Sequence, residues 1–572
     1  MKLRLEHLGA SLAALACPVC LGASVAPVGA EHGMVVTAQH YASQVGVDVL
    51  KHGGNAIDAA VAVGYALAVV YPAAGNLGGG GFATIRFADG RSTFIDFRER
   101  APRAASANMY LDAKGNVIKG ATTKGYLAAG VPGSVAGLEH MREKYGTKKR
   151  AELMAPAIAF AERGFVLEQG DVDMFLTATE DFRKDAPSAE IFLEKGEPYS
   201  TGERVVQKDL AKTLRRIARL GRDGFYRGPV AEAIARSSKA GGGIITAEDL
   251  AAYRVREMAP VECDYRGYHV ISAPPPSSGG VIVCEILDIV EGYPLKDLGF
   301  HGAQALHYQI EAMRHAYVDR NSYLGDPDFV KNPIEHLLDK KYAEAIRATI
   351  DPDRAAVSQE LKPGVAPHEG TSTTHFSIVD KDGNAVGLTY SLNDWFGARV
   401  TPAGTGVLLN DTMDDFTAKL GVPNIYGLVQ GQANAIAPGK TPLSSMSPTI
   451  VTKDGKVFMV LGTPGGSRII TVVALTIINV IDYGMNIQEA VDAPRFHQQW
   501  LPDVTNVERF ALSPDTEKLL VEKGQKLGAP QPANHVSAII VGAPAAGAKP
   551  VGRNTLYGAN DPRRNTGLAA GY

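Results

Sequence analysis

The chain has no excess of basic charge. Its 58 Lys and Arg stand against 61 Asp and Glu, a formal net charge of -3, so nothing in the balance draws phosphate backbones and nucleic acid is not an expected partner. Large rings are scarce, at 7% aromatic with two tryptophans. With 62 glycines and abundant alanine, the core must rest on close backbone approach by small residues. No apolar run makes a stable membrane span: Ala10–Cys20 is too short and is broken by Pro18. Common hydrolase and nucleotide signatures are also missing. There is no Gly-x-Ser-x-Gly elbow, and His368-Glu369 lacks the second His of a zinc-protease helix. Gly439-Lys440-Thr441 has Asn434 where a phosphate loop needs its leading Gly, and Pro442 blocks the helix that should follow.

What is present is the composition of a soluble globular protein, 45% hydrophobic and 21% charged over 572 residues. Lys2 and Arg4, the apolar Ala10–Cys20 and the small residues Val28-Gly29-Ala30 form an export signal with a cut expected near Ala30, which places the mature chain in the periplasm or outside the cell. Cys17 and Cys20 leave with that signal. Cys263 and Cys284 remain, and their spacing is compatible with a disulfide or with two separate buried thiols.

Along the mature chain the sequence predicts a strand at Met34–Ala38 and a buried helix at 56–70 capped by Asn55. Gly75–Gly81 runs into alternating strands at Phe82–Phe87 and Thr93–Phe97. A strand after the glycines, in place of a helix, marks a close backbone crossing and not a phosphate cradle. Val131–Asp351 reads mainly as helices, interrupted by the extended loop Ala273–Gly280. On one of those helices His307, Glu311 and His315 share a face, but further metal ligands are not suggested nearby and a structural role is expected. Residues 351–372 read as a flexible linker. Later segments predict strands at Val457–Leu461 and Ser537–Val541 and a helix at Ile469–Ile481. Strands in both portions with helices between them imply sheets covered by helices on both outer faces.

After the linker, Thr374–Val379 and Ala385–Leu392 form a predicted hairpin, with Thr373 at its entry. Inside a chain a Thr hydroxyl has no adjacent base. If the Ser372–Thr373 bond were cut, Thr373 would gain a free α-amine with a reference pKa of roughly 7.7–8.0. Nucleophile and base would then reside in one residue.

Thr373-Thr374-His375-Phe376-Ser377, Gly383-Asn384-Ala385-Val386, Thr389-Tyr390-Ser391-Leu392-Asn393 and Phe396-Gly397 together resemble the signature of the γ-glutamyltranspeptidases. Asp96-Phe97-Arg98-Glu99, Pro274–Gly280, Met413-Asp414-Asp415-Phe416, Pro442–Pro448 and Pro464-Gly465-Gly466-Ser467-Arg468 resemble that family's blocks in its order, so the likeness covers essentially the whole mature chain, as in the exported bacterial members. The resemblance implies an α+β N-terminal-nucleophile hydrolase fold, a four-layer αββα sandwich. It also implies a precursor that cuts itself between Ser372 and Thr373 into a large subunit, 31–372, and a small catalytic subunit, 373–572, which pair as a heterodimer. Thr373 would then attack γ-glutamyl amides such as glutathione, and water or an amino acid or dipeptide acceptor would resolve the ester. No metal and no organic cofactor is implied.

The same resemblance assigns the supporting residues. Arg98, Ser444 and Ser445 would hold the substrate α-carboxylate, and Asn393 and Asp415 its ammonium. Gly465 and Gly466 would offer backbone N–H groups to the oxyanion. Thr374 and Ser391 would orient Thr373, and Tyr426 would sit in a lid. The chain departs from the pattern at Ser391, where Thr is usual, and at Thr412, where Glu or Gln usually reaches the ammonium. Amino-group recognition is therefore expected to be weaker, or to use Asp411 or a water. The second departure keeps in view a glutaryl (cephalosporin-type) acylase of the same fold, since a glutaryl group lacks the α-amine; a third reading, an uncleaved binding protein on that fold, is disfavoured by the intact Thr373, glycine pair and substrate clamp.

Overall fold

A computed structural model of the chain describes residues 24–361, 373–530 and 534–572. Two seven-stranded sheets lie face to face, and all their pairings are antiparallel. In chain order the strands are β1 (Val28–Ala30), β2 (Met34–Thr37), β3 (Gly80–Arg86), β4 (Ser92–Asp96), β5 (Arg256–Met258), β6 (Val261–Tyr265) and β7 (Tyr268–Ser272). Past residue 373 come β8 (Thr374–Val379), β9 (Ala385–Ser391), β10 (Thr449–Lys453), β11 (Lys456–Gly462), β12 (Ser537–Val541), β13 (Leu556–Asn560) and β14 (Leu568–Gly571). One sheet runs β14-β2-β8-β9-β3-β4-β5 and the other β1-β13-β12-β11-β10-β7-β6. Each sheet thus interleaves strands from both sides of position 373, and neither portion completes a sheet alone.

Strand alternation sorts the layers. Phe376 and Ile378 of β8 face a core shared with helices α1 (His40–Lys51) and α2 (Ala56–Val70). Val379 of the same strand turns the other way, to Met34, Val36, Ile450, Val460 and Ile539 between the sheets. The outer face of the second sheet, with Met459, Leu461 and Ile540, packs on α3 (Gly279–Glu291), α4 (Ala303–Tyr323) and α5 (Arg468–Ile481). The order is helix, sheet, sheet, helix.

Small residues set these spacings. All of α2 is buried, and Asn55 and Asp58 close its N-terminus as a reciprocal capping box. A Cβ on Gly79 would lie 2.0 Å from the Ser391 carbonyl oxygen, and one on Gly81 2.3 Å from that of Thr389. The glycine run is therefore the close crossing its sequence predicts, and it brings β3 against β9.

Three segments differ from expectation. Residues 256–272 are strands and not helix. Val261–Tyr265 alternates in burial at the sheet edge while Tyr268–Ser272, one strand further in, is almost wholly buried, and Arg266 (φ 47°) with Gly267 (φ 79°) makes the two-residue turn that such a hairpin requires. Residues 351–361, expected in a flexible linker, are mostly exposed but anchored at two points: Ser358 is fully buried and accepts the Trp500 indole N–H on its carbonyl at 2.7 Å, and Ala355 N–H reaches the Lys523 carbonyl at 2.7 Å. Val28–Ala30, expected within the exported leader, pair with Leu556–Gly558 as an edge strand, which a cut after Ala30 would remove. The rest of the leader (residues 1–23) and of the linker (362–372, with Ser372) lies outside the described residues.

Cys263 on β6 and Cys284 on α3 are joined as a disulfide, their Cα atoms 6.0 Å apart. Among the described residues no helix is long and apolar enough to cross a membrane.

Candidate active site

Thr373 stands at the entry of β8, whose pairing with β9 sets His375 opposite Thr389. Its hydroxyl lies 3.2 Å from that of Ser391, and Ser391 Oγ also accepts the Asn393 backbone N–H at 2.8 Å. Asn393 itself has φ 83°, a left-handed conformation that asparagine tolerates. It turns the chain out of β9.

Thr373 and Ser391 open into a narrow pocket whose walls include Arg98, Asn393, Asp415, Tyr426, Ser444, Ser445 and Gly466. Arg98, just beyond β4, donates Nη2–H to Asp415 Oδ2, and its Nη1 lies 3.6 Å from Glu99. Burial raises the Asp415 carboxyl above the ordinary carboxylate range, opposed by Arg98. The pocket thus holds a cation beside an anion, which is the charge pattern complementary to an α-amino acid head group. Leu428, Leu443, Met446 and Ile469 add apolar surface to its lining.

Gly465 and Gly466 precede α5 with φ 126° and φ 55°, conformations that favour glycine. A Cβ on Gly466 would meet the Tyr426 ring at 2.3 Å, and one on Gly465 the Asn534 amide at 2.1 Å. Neither backbone N–H has an acceptor among the described residues, which leaves both available to an oxyanion at a helix start. Tyr426 closes over this turn. Its hydroxyl donates to the Asn393 carbonyl at 2.8 Å and contacts Asn393 Oδ1 at 2.6 Å.

His375 is not a free base. Ser377 Oγ donates to the Ser537 carbonyl at 3.0 Å, so it must accept from His375 Nε2–H at 3.1 Å. Nδ1 is then the acceptor and takes the Thr389 hydroxyl at 2.8 Å. Burial lowers the ring pKa to about 3, so a neutral imidazole braces two strands.

Most of the residues singled out from sequence meet in this pocket, but Thr374, Thr412 and Asp411 do not, and Gly465 stands just behind Gly466 at its edge. Thr374 shares the strand face of Phe376 and Ile378, turned from the pocket, and its buried hydroxyl has no partner in the described structure. Thr412 is fully buried and gives its hydroxyl to Glu99 at 2.8 Å. Asp411 accepts the Asp394 N–H at 2.7 Å and the Asn393 amide on its carbonyl at 3.2 Å, and does not line the pocket. Conversely, Arg320 lines the pocket without any sequence signal, because a lone arginine near a helix end has no pattern of its own. His307 and Glu311 are used by protein partners: His307 contacts the Asp351 carbonyl at 2.8 Å, and Glu311 accepts from Gln525 at 2.8 Å. Among the described residues no cluster suited to a metal occurs.

Comparison with known proteins agrees with this geometry. The γ-glutamyltranspeptidase family model matches residues 42–571. A glutathione hydrolase proenzyme of Pseudomonas sp. (strain A14) is 73% identical over 96% of both chains. The protein of the same name from Escherichia coli (strain K12) is 51% identical over 96% of this chain and 93% of its own. A cephalosporin acylase from Bacillus halodurans superposes with a TM-score of 0.83 at 29% identity, covering 98% of this chain and 99% of its own.

Proposed function

The chain belongs to the γ-glutamyltranspeptidase family, and from that premise we propose a self-processing glutathione hydrolase and γ-glutamyltransferase with Thr373 as its nucleophile. The observation that carries the proposal is the meeting of Thr373 with the Arg98–Asp415 pair and the Ser444–Ser445 turn in one pocket. An N-terminal threonine alone fits many amide hydrolases. The adjacent cation and anion restrict the acyl group to one that carries both a carboxylate and an ammonium.

In the precursor the Thr373 hydroxyl attacks the Ser372 carbonyl, and the peptide C–N bond gives way to an ester as the nitrogen takes up the proton. Water hydrolyses the ester, leaving the Ser372 carboxylate on the large subunit and a free α-amine on Thr373. That amine then accepts the hydroxyl proton as Thr373 attacks a γ-glutamyl amide. The Gly465 and Gly466 N–H groups stabilise the tetrahedral oxyanion, and the amine passes its proton to the departing nitrogen. Water or an acceptor amine releases the γ-glutamyl group from the ester. The proposed portions, 31–372 and 373–572, remain together as a heterodimer through their interleaved sheets. With an export leader before them, the periplasm or exterior is the proposed location.

The glutaryl acylase reading draws on Thr412, whose hydroxyl is committed to Glu99. Asp415 weighs against it, since a glutaryl group brings no ammonium to that buried carboxylate. Purified chain and a Thr373→Ala variant, run on a denaturing gel and assayed with γ-glutamyl and glutaryl anilides, test both readings. Two fragments and γ-glutamyl cleavage are expected for the first, and one inactive chain for the second. Faster glutaryl cleavage would favour the acylase.

A further inference from the structure

The pocket contains a second guanidinium. Arg320, in the last turn of α4, is 1% exposed and lines the cavity. Its hydrogen bonds all go to neutral groups. Nη2 donates to Ser445 Oγ at 2.9 Å, Nε to Ser278 Oγ at 3.0 Å, and Nη1 to Asn321 Oδ1 at 2.8 Å and to Gln430 Oε1 at 3.4 Å. Arg98 is paired with Asp415, whereas Arg320 makes no ion pair with any described carboxylate. Burial pulls its pKa down to about 10, opposed by Tyr317 and by the Asp415 carboxylate nearby, so it stays protonated near neutral pH. A buried cation with no carboxylate bonded to it, and with Asp415 already bound to Arg98, is only partly compensated, and a site that holds one favours the arrival of an anion.

The hydrogen-bond polarity says where that anion sits. Arg320 fills an acceptor site of Ser445 Oγ, so the Ser445 O–H is left to donate. Ser444 Oγ is in the same state, because it accepts the Met446 N–H at 3.0 Å. Ser278, held by Arg320 Nε, donates to the Ser444 carbonyl at 2.7 Å and fixes the turn itself. Neither serine hydroxyl has an acceptor among the described residues, so both protons are available to an anion entering the pocket. Through Gln430, whose amide donates to the Asp415 carbonyl at 2.9 Å, Arg320 also touches the segment that carries the ammonium-side carboxylate.

We propose that Arg320 is a positioning residue for α-carboxylate recognition. It polarises Ser445, locks the Ser444–Ser445 turn through Ser278, and supplies a second positive charge behind the two hydroxyls. The proposal rests on the γ-glutamyl reading of the pocket. It predicts that Arg320 is felt in substrate affinity more than in the chemical step, and only by substrates with an α-carboxylate.

The test is steady-state kinetics of the processed enzyme and its Arg320→Met, Arg320→Lys, Ser445→Ala and Arg320→Met/Ser445→Ala variants. The substrates are L-γ-glutamyl-4-nitroanilide and 4-aminobutyryl-4-nitroanilide, which keeps the amine and lacks the carboxylate. Arg320→Met should raise KM for the first by about tenfold or more with kcat within about twofold, while the second substrate shows little change. Arg320→Lys, which keeps a charge and a donor, should recover part of the loss. Ser445→Ala should add little to Arg320→Met, since the two act as one unit. Should Arg320→Met fail to process, the Lys and Ser445→Ala variants still carry the comparison. Equal losses on both substrates, or a fall in kcat with unchanged KM, would overturn the proposal by showing that Arg320 only supports the fold. Failure of the unmutated enzyme to cleave the γ-glutamyl anilide would overturn the reading of the site, and this inference with it.

Discussion

Ser391 Oγ lies 3.2 Å from Thr373 Oγ1 while accepting the Asn393 backbone N–H at 2.8 Å. The backbone N–H occupies an acceptor position on Ser391, and the two hydroxyls hold each other across the hairpin entry. The methyl group that threonine would add is dispensable to this contact. Ser391→Ala should therefore lower kcat by up to about tenfold, the worth of one ordinary hydrogen bond, whereas Ser391→Thr should remain near the parent rate. Single-turnover assays with a γ-glutamyl anilide separate this from any change in binding.

Asp415 is the anion of the pocket and Arg98 its partner. Asp415→Asn keeps the shape and removes the charge, leaving Arg98 without its hydrogen-bonded carboxylate. Loss of one member of a buried pair costs about 3–5 kcal/mol where nothing compensates. A fall in γ-glutamyl kcat/KM by about two orders of magnitude is expected, with a smaller fall for a glutaryl anilide, which offers no ammonium to miss. The ratio of the two rates before and after substitution checks it.

Burial lowers His375 and His497 to about 3, below the value of about 6.5 for an unfolded histidine. The unfolded chain therefore binds protons that the folded chain refuses. Their contribution to stability is complete above about pH 6.5 and is lost as pH falls from there toward about 3, at up to about 1.4 kcal/mol per unit for each ring. Tm should drop between about pH 7.5 and about pH 5, and less steeply in His375→Gln, which cannot take up the proton. Because His375 does not titrate near neutrality, the same substitution should leave the acid limb of kcat/KM at its parent position. Calorimetry and a pH–rate profile read the two effects separately.

The Cys263–Cys284 disulfide closes a loop with a sequence separation of 21, tying edge strand β6 to α3. Constraint of the unfolded chain on that scale is worth about 3 kcal/mol. The paired Cys263→Ser/Cys284→Ser variant should unfold at lower urea with an unchanged slope. Fragment pattern and γ-glutamyl rate at low temperature should stay near parent values, since neither cysteine lines the pocket.

The parts of the fold that could be read from sequence are those whose signal is local. The hairpin at 374–391 alternates with period two, α2 carries its own cap, and the glycines at 79–81 are followed at once by a strand. The hairpin at 261–272 is hidden by the helical segments around it, and the edge position of its first strand leaves Glu262 and Asp264 exposed among apolar neighbours. The segment 351–361 reads as linker because its prolines and charges are local, while Arg314, Asp503 and Trp500, which anchor Ser358, are not. In the site, Thr373, Arg98 and Asp415 were legible through motif blocks. Arg320 and the turning of Thr412 to Glu99 were not, since both depend on which distant chains approach, and no spacing encodes that.

The central claim is that Thr373 becomes an N-terminal nucleophile and carries the γ-glutamyl group. Peptide mass mapping of enzyme quenched during turnover of a γ-glutamyl anilide tests it most directly. The account predicts a fragment beginning at Thr373, with the γ-glutamyl adduct on that residue and on no other. An active chain in which Thr373 remains internal, or an adduct on a different residue, would contradict it.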